Sequence, residues 1–156
     1  MYERLSKGKQ RKAAQGGYIG GHLPLGYRNV DARAVVDEEA AEIVRLIFRL
    51  RIEENSFSKI VAELKRREVK TARGGRWSWG AVGSVLGNPY YTGWLRRSGE
   101  LARGCHKPII SAKTFNKAQD IFRCAADRAR FGPTRTRLPE GTDAQDRKRR
   151  ATRKEA

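Results

Sequence analysis

Cys105 and His106 stand side by side, the residue types of a thiolate nucleophile and the base that would activate it. Adjacent residues on an extended segment point to opposite faces, so this pair cannot converge on one substrate. The other histidine, His22, sits among glycines, and neither histidine has the surroundings of a Ser-His-Asp set. Carboxylates cluster at Glu38, Glu39, Glu42, Glu53 and Glu54, but they fall on outward positions of a helical pattern and read as solvated charge. Cys105 and Cys124 lie far from any C-x-x-C spacing and read as reduced thiols, neither zinc ligands nor a disulfide. No G-x-x-x-x-G-K-[ST] loop is present to cradle a phosphate. These residues predict no catalytic site, no metal and no cofactor.

What the chain has in excess is positive charge. Its 156 residues carry 34 Lys and Arg against 17 Asp and Glu, a net charge of +17 that suits a polyanion. The excess is uneven: residues 29–64 carry a net −3, while 1–28, 65–78, 79–129 and 130–156 carry +5 each. The densest ordered run is Lys65, Arg66, Arg67, Lys70, Arg73 and Arg76. If each met a phosphate, the binding constant would fall with salt at a log–log slope of about −5. No apolar run is long enough for a membrane span or a signal peptide, which predicts a cytoplasmic protein without a membrane partner.

The elements that must present this charge follow from hydrophobic spacing. Residues 1–15 are polar and helix-tolerant. Residues 16–28, with five glycines and Pro24, cannot hold a regular helix and read as an extended strap. Asp37 offers an N-cap to a core helix whose apolar face is Ala40, Ile43, Val44, Ile47 and Phe48. A second helix starts at Asn55 or Ser56 and keeps Phe57, Ile60, Val61 and Leu64 on one side. Ser78 caps a third, with Val82, Val85 and Leu86 inward and a stop at Asn88-Pro89. Gly80, Gly83 and Gly87 weaken that helix by up to about 1 kcal/mol each, so it needs packing, or a neighbour that needs the missing side chains. Then "YYTGWLRR" and "LARGCHKPII" read as a hairpin around Ser98-Gly99-Glu100, and Ser111 caps a last helix with Phe115, Ala118, Phe122, Ala125 and Ala129 inward. From Gly132 the chain has almost nothing to bury and reads as a disordered basic tail. The expected class is α+β: a mostly helical domain with a small β-hairpin, helix-turn-helix-like with a wing.

The blocks "KAAQGGYIGGHLPLGYR", "VDEEAAEIVRLIFRL", "SFSKIVAELKRREVKTARGGRWSWGAVGSVLGNPYYTGW" and "HKPIISAKTFNKAQDIF" resemble successive parts of the recombinase domain of large serine recombinases, the phage integrase and transposon-resolvase group. The resemblance spans about Leu5 to Arg130, and the GGRWS-to-NPYYTG block is its most specific part. It implies a double-stranded DNA partner, the half-site of an attachment sequence. By resemblance, 1–15 is the remnant of a connecting helix, with Lys7, Lys9, Arg11 and Lys12 along the DNA. Residues 16–28 become a strap across the minor groove, with Gly20, Gly21, His22 and Arg28 in contact. Residues 29–131 become the DNA-reading domain, in which Arg73, Arg76, Trp77, Ser78 and Ser84 face the major groove and phosphates, and Arg96 and Arg97 serve from the hairpin; 132–156 is the tail. Trp77 is expected on the DNA side, and Trp79 and Trp94 in the core.

The departures matter as much. The family's catalytic module, with its serine nucleophile and activating arginines, should precede residue 1, and Ser6 on the connecting helix cannot replace that nucleophile. A zinc ribbon usually follows, and Lys65 stands where the family often has asparagine. The expectation is a domain that binds DNA without cleaving it, with a separately encoded catalytic module as a further partner. A basic RNA-binding or ribosome-associated protein is the alternative.

Overall fold

A computed structural model of the chain describes residues 22–97, 100–121 and 137–139. Among the described residues there are two two-stranded antiparallel sheets and four α-helices. The order is β1 Tyr27–Val30, β2 Arg33–Val36, α1 Glu38–Ile52, α2 Phe57–Arg66, α3 Trp79–Leu86, a 3-10 turn Pro89–Thr92, β3 Trp94–Arg97, β4 Glu100–Arg103 and α4 Ala112–Ile121. This is the expected α+β class, with helix, connection, helix and hairpin in the expected order. The hairpin β1–β2 was not expected: the sequence reading carries the strap to Arg28 and leaves 29–36 without an element. Its two-residue turn, Asp31-Ala32, has positive φ at both positions (48° and 60°), the geometry that lets a tight turn match strand twist. Asp-Ala is a weak sequence signal for such a turn, because alanine gains nothing from the left-handed region.

The helix starts follow the sequence. Asp37, Ser56 and Ser78 each accept from the amide three residues on, at 3.5, 3.3 and 3.2 Å. Asn55, the other candidate cap, instead donates its side-chain amide to the Leu50 carbonyl at 2.9 Å and closes α1. The stripe of α1 lies further round than spacing predicted: Ala41, Val44, Ile47, Phe48 and Arg51 are buried, with Ala40 and Ile43 only half so. Arg51 is accepted inside because its guanidinium donates to the Asn55 and Ile121 carbonyls at 3.1 and 3.4 Å and lies 4.9 Å from the Phe57 ring centre.

Around Phe48 the core gathers Ile47, Ile60, Leu64, Val82, Leu86, Tyr91 and Phe115, all nearly or fully sealed from solvent. Helix α1 packs against α2, α3 and α4, and α2 against α3. Gln119 of α4 donates to the Leu86 carbonyl at 2.6 Å, satisfying an acceptor that the last turn of α3 leaves open. "YYTG" is not strand: it forms the 3-10 turn, and Gly93 (φ 84°) redirects the chain into β3. The turn wins because Tyr91 fills the core while its carbonyl accepts from both Ile109 and Ile110, at 2.8 and 3.1 Å. His106 is buried and stacked on Tyr90, with ring centres 3.7 Å apart, whereas Cys105 is exposed; the two part as expected, but in a bend after β4 ends at Arg103 and not on an extended strand.

Helix α4 is described to Ile121, so Phe122, Ala125 and Ala129 lie outside the described residues, as does most of the tail. Within the tail, however, Leu138 is buried, its amide donating to Asn116 Oδ1 at 2.9 Å and its carbonyl accepting from Asn116 Nδ2 at 2.8 Å. At this point the tail has something to bury, contrary to its composition.

Candidate nucleic-acid interface

The connection between α2 and α3, residues 67–78, is a shaped loop set by how α2 ends. Glu68 takes a left-handed conformation (φ 55°), the Val69 amide returns to the Leu64 carbonyl at 3.1 Å, and the Glu68 amide to Lys65 at 3.0 Å. This paired closure satisfies the last carbonyls and swings the chain back along the helix. A second tight turn follows: the Thr71 hydroxyl accepts from the Gly75 amide at 2.9 Å, and Gly74 has φ 75°. Between the helix end and the returning loop lies an open cleft of about 760 Å³, lined by Val61, Lys65, Glu68, Val69, Lys70, Gly75, Arg76 and Trp77.

Its walls are apolar, and its rim carries three cations and one carboxylate, Glu68. Val61, Val69 and Trp77 are half-buried against the core. Lys65, Lys70 and Arg76 are exposed, and among the described residues none of them pairs with a carboxylate. The basic run is not uniform, though. Glu63 accepts from Arg66 through a two-pronged contact, Nε at 2.9 Å and Nη2 at 2.7 Å, and from Arg67 Nε at 2.6 Å. Hydrogen bonds from Arg66 and then Arg67 hold the Glu63 carboxyl down to about 2, so it stays charged at any pH the fold experiences in a cell.

Beyond the cleft, α3 presents Trp79, Gly80 and Ser84 to solvent. This corrects the expectation that Trp79 is core. Trp79 is 38% exposed and stacks over Phe57, with ring centres 6.4 Å apart, so it is not core. Spacing puts it in line with Val82, Gly83 and Leu86, but α3 is two turns long and side chains tilt toward the N-terminus, so the first residue overhangs the edge of α2. Trp77 packs against the core, and its indole Nε1 is buried without a partner among the described residues. Its place just before the cap, where an apolar residue folds back on the helix, was the signal for this. Trp94, expected as core, is half-buried under the Arg103 guanidinium, 4.9 Å from the ring centre.

The other expected contacts are scattered. Lys7, Lys9, Arg11, Lys12, Gly20 and Gly21 lie outside the described residues. His22 is exposed just before β1, and Arg28 is exposed on β1 rather than on a strap. Arg73 is exposed on the loop bordering the cleft, and Ser78 is exposed with its hydroxyl engaged as the cap of α3. Arg96 is exposed on β3, and Arg97 stands opposite Glu100 in the register. Only Arg76 and Trp77 of the expected set line the cleft; Lys65 and Lys70, which join them there, were legible as charge but not as neighbours of Trp77. Among the described residues no three His, Cys, Asp or Glu could hold a metal ion, and no helix is long and apolar enough to cross a membrane.

Comparison with known proteins points the same way. The family model described as Recombinase matches residues 38–124. A solved chain described as "Crystal Structure of a LSR-DNA Complex", LSR standing for large serine recombinase, is 27% identical with a TM-score of 0.63, over 76% of this chain and 38% of its own length. Another, from "Sequence Requirements of the Listeria innocua prophage attP site", has the same identity and TM-score, over 76% of this chain and 51% of its own. The chain thus spans about half or less of the solved chains it matches.

Proposed function

The chain belongs to the Recombinase family, and from that premise we propose that it is the DNA-binding domain of a large serine recombinase, holding duplex DNA of an attachment half-site while the family's catalytic module supplies strand cleavage. The observation that carries the reading is the cleft at the end of α2, where Lys65, Lys70 and Arg76 rim an apolar wall beside the exposed face of α3. Point cations around a groove supply the sequence-independent grip on phosphates, and an adjoining short helix with an exposed aromatic and small residues offers a surface for base edges. His22, Arg28, Arg73, Ser84, Arg96 and Arg97 extend this grip on either side. Likeness to a chain solved as a recombinase–DNA complex supports the same reading.

Titration of a labelled duplex by anisotropy, repeated at rising salt, tests it. Lys65, Lys70, Arg73 and Arg76, which pair with no carboxylate among the described residues, contribute about −3.6 to the log–log slope, and each further arginine that meets a phosphate, Arg28, Arg96 or Arg97, steepens it by about 0.9. Binding that ignores salt, or structured RNA that outcompetes duplex DNA, refutes the proposal and in the second case favours an RNA partner.

A further inference from the structure

The six cations between residues 65 and 76 would, as a sequence, form one sequence-independent phosphate grip. Folding divides them. Lys65 turns to the cleft with Lys70 and Arg76, while Arg66 and Arg67 both close on Glu63, one turn earlier on α2. The division follows from helical spacing: positions i+3 and i+4 from Glu63 lie on its side, whereas i+2 points away.

An exposed ion pair of this kind adds little to stability, because solvent screening and side-chain ordering offset the attraction. Its geometry has another consequence. The fork to Arg66 uses Nε and Nη2 on one edge of the guanidinium, the same edge a phosphate would take in a two-pronged contact. Arg67 is held through Nε. The arginine side chains remain 69% and 48% exposed, so DNA can reach them, but it must compete with a carboxylate already in place.

We propose that Glu63 is a specificity-determining residue, an intramolecular competitor with DNA phosphate that withholds Arg66 and Arg67 from sequence-independent binding. The proposal rests on the DNA-binding reading. A protein that must find one attachment site gains from a weaker hold on all other DNA, since specific sites compete with a vast excess of random sequence. Glu63 lowers that background without touching the cations that line the cleft.

The test uses the full chain and a labelled duplex of random sequence, titrated between about 50 and 300 mM salt. Glu63→Gln, which keeps shape and removes charge, tightens binding at low salt and steepens the log–log slope by about 1 to 2, one unit for each arginine released. Arg66→Gln with Arg67→Gln in the native background leaves the slope nearly unchanged, and adding both to Glu63→Gln abolishes the gain. A native slope that falls by about 2 in the double arginine variant overturns the proposal, since both arginines would already meet phosphates with Glu63 present. An unchanged slope in a folded Glu63→Gln protein overturns it as well. Should Glu63→Gln fail to fold, the double variant decides alone. Salt-dependent binding by the native chain with no effect of Glu63 removes only this inference; absence of salt-dependent binding removes the DNA reading and this inference with it.

Discussion

Replacing Gly80 with alanine tests both the first turn of α3 and the surface it presents. The other described glycines have internal reasons: a Cβ at Gly26 would lie 2.6 Å from Ile109 Cδ1, one at Gly104 2.5 Å from the His106 ring and one at Gly75 3.3 Å from Thr71 Oγ1, and Gly74 and Gly93 have positive φ. Gly83 is buried within the helix packing, and Gly87 closes α3. At Gly80 an added Cβ meets nothing nearer than Ser78 Oγ at 3.9 Å, ordinary contact distance. Alanine therefore brings its helix propensity without a steric cost, a gain of about 0.5–1 kcal/mol at an exposed helical site. For a domain of this size that raises the melting temperature by about 2–8 °C, read by circular dichroism with urea titration as a cross-check. The same variant is then titrated with duplex DNA, where the methyl group stands proud of a surface bordered by Trp79 and Ser84 and weakens binding. Higher stability with lower affinity is the expected signature of a residue kept small for a partner. Lower stability refutes the description of the first turn, and unchanged affinity places the DNA off this face of α3. Gly26→Ala is the control, a loss of about 1–3 kcal/mol from overpacking against Ile109.

Leu138→Ala removes a buried side chain from the returning segment and costs about 2–4 kcal/mol, measured by urea unfolding. A stability equal to the native chain's would mean that the segment does not dock. Burial pushes the Tyr27 and Tyr91 hydroxyls well above the ordinary phenol range. The unfolded phenols ionise near about pH 10 while the folded ones stay protonated, so this stability is fully present below pH 10 and is lost as the pH rises beyond it. Phenolate absorbance then shows at least two of the five tyrosines ionising only with unfolding; five that ionise at about pH 10 in the folded chain refute it.

The four helix caps, at Asp37, Ser56, Ser78 and Ser111, the core helices and the second hairpin were written locally, because each needs only a few neighbours in the chain: an oxygen three residues ahead of an amide, an apolar repeat, a turn between short strands. Asp37, Ser56 and Ser78 all cap as their spacing demanded. The first hairpin was missed because its turn residues, Asp31 and Ala32, carry almost no preference for the geometry they adopt. Composition told of a polyanion partner, and the quoted blocks told of recombinases, but neither brought Lys65, Lys70 and Arg76 together around Trp77.

That meeting belongs to the tertiary structure. Arg66 and Arg67 pair with Glu63 through spacing along α2 alone, whereas Lys65 comes to share a cleft with Trp77 through the left-handed closure at Glu68 that folds the loop back. Trp79 left its expected place in the core for a similar reason. Spacing fixes the direction in which a side chain points along its own helix, but not where the neighbouring helix ends, and Trp79 is exposed because it overhangs α2 at Phe57. The sequence by itself determined the charge, the helices and their caps; packing decided which of those charges and aromatics a partner can touch.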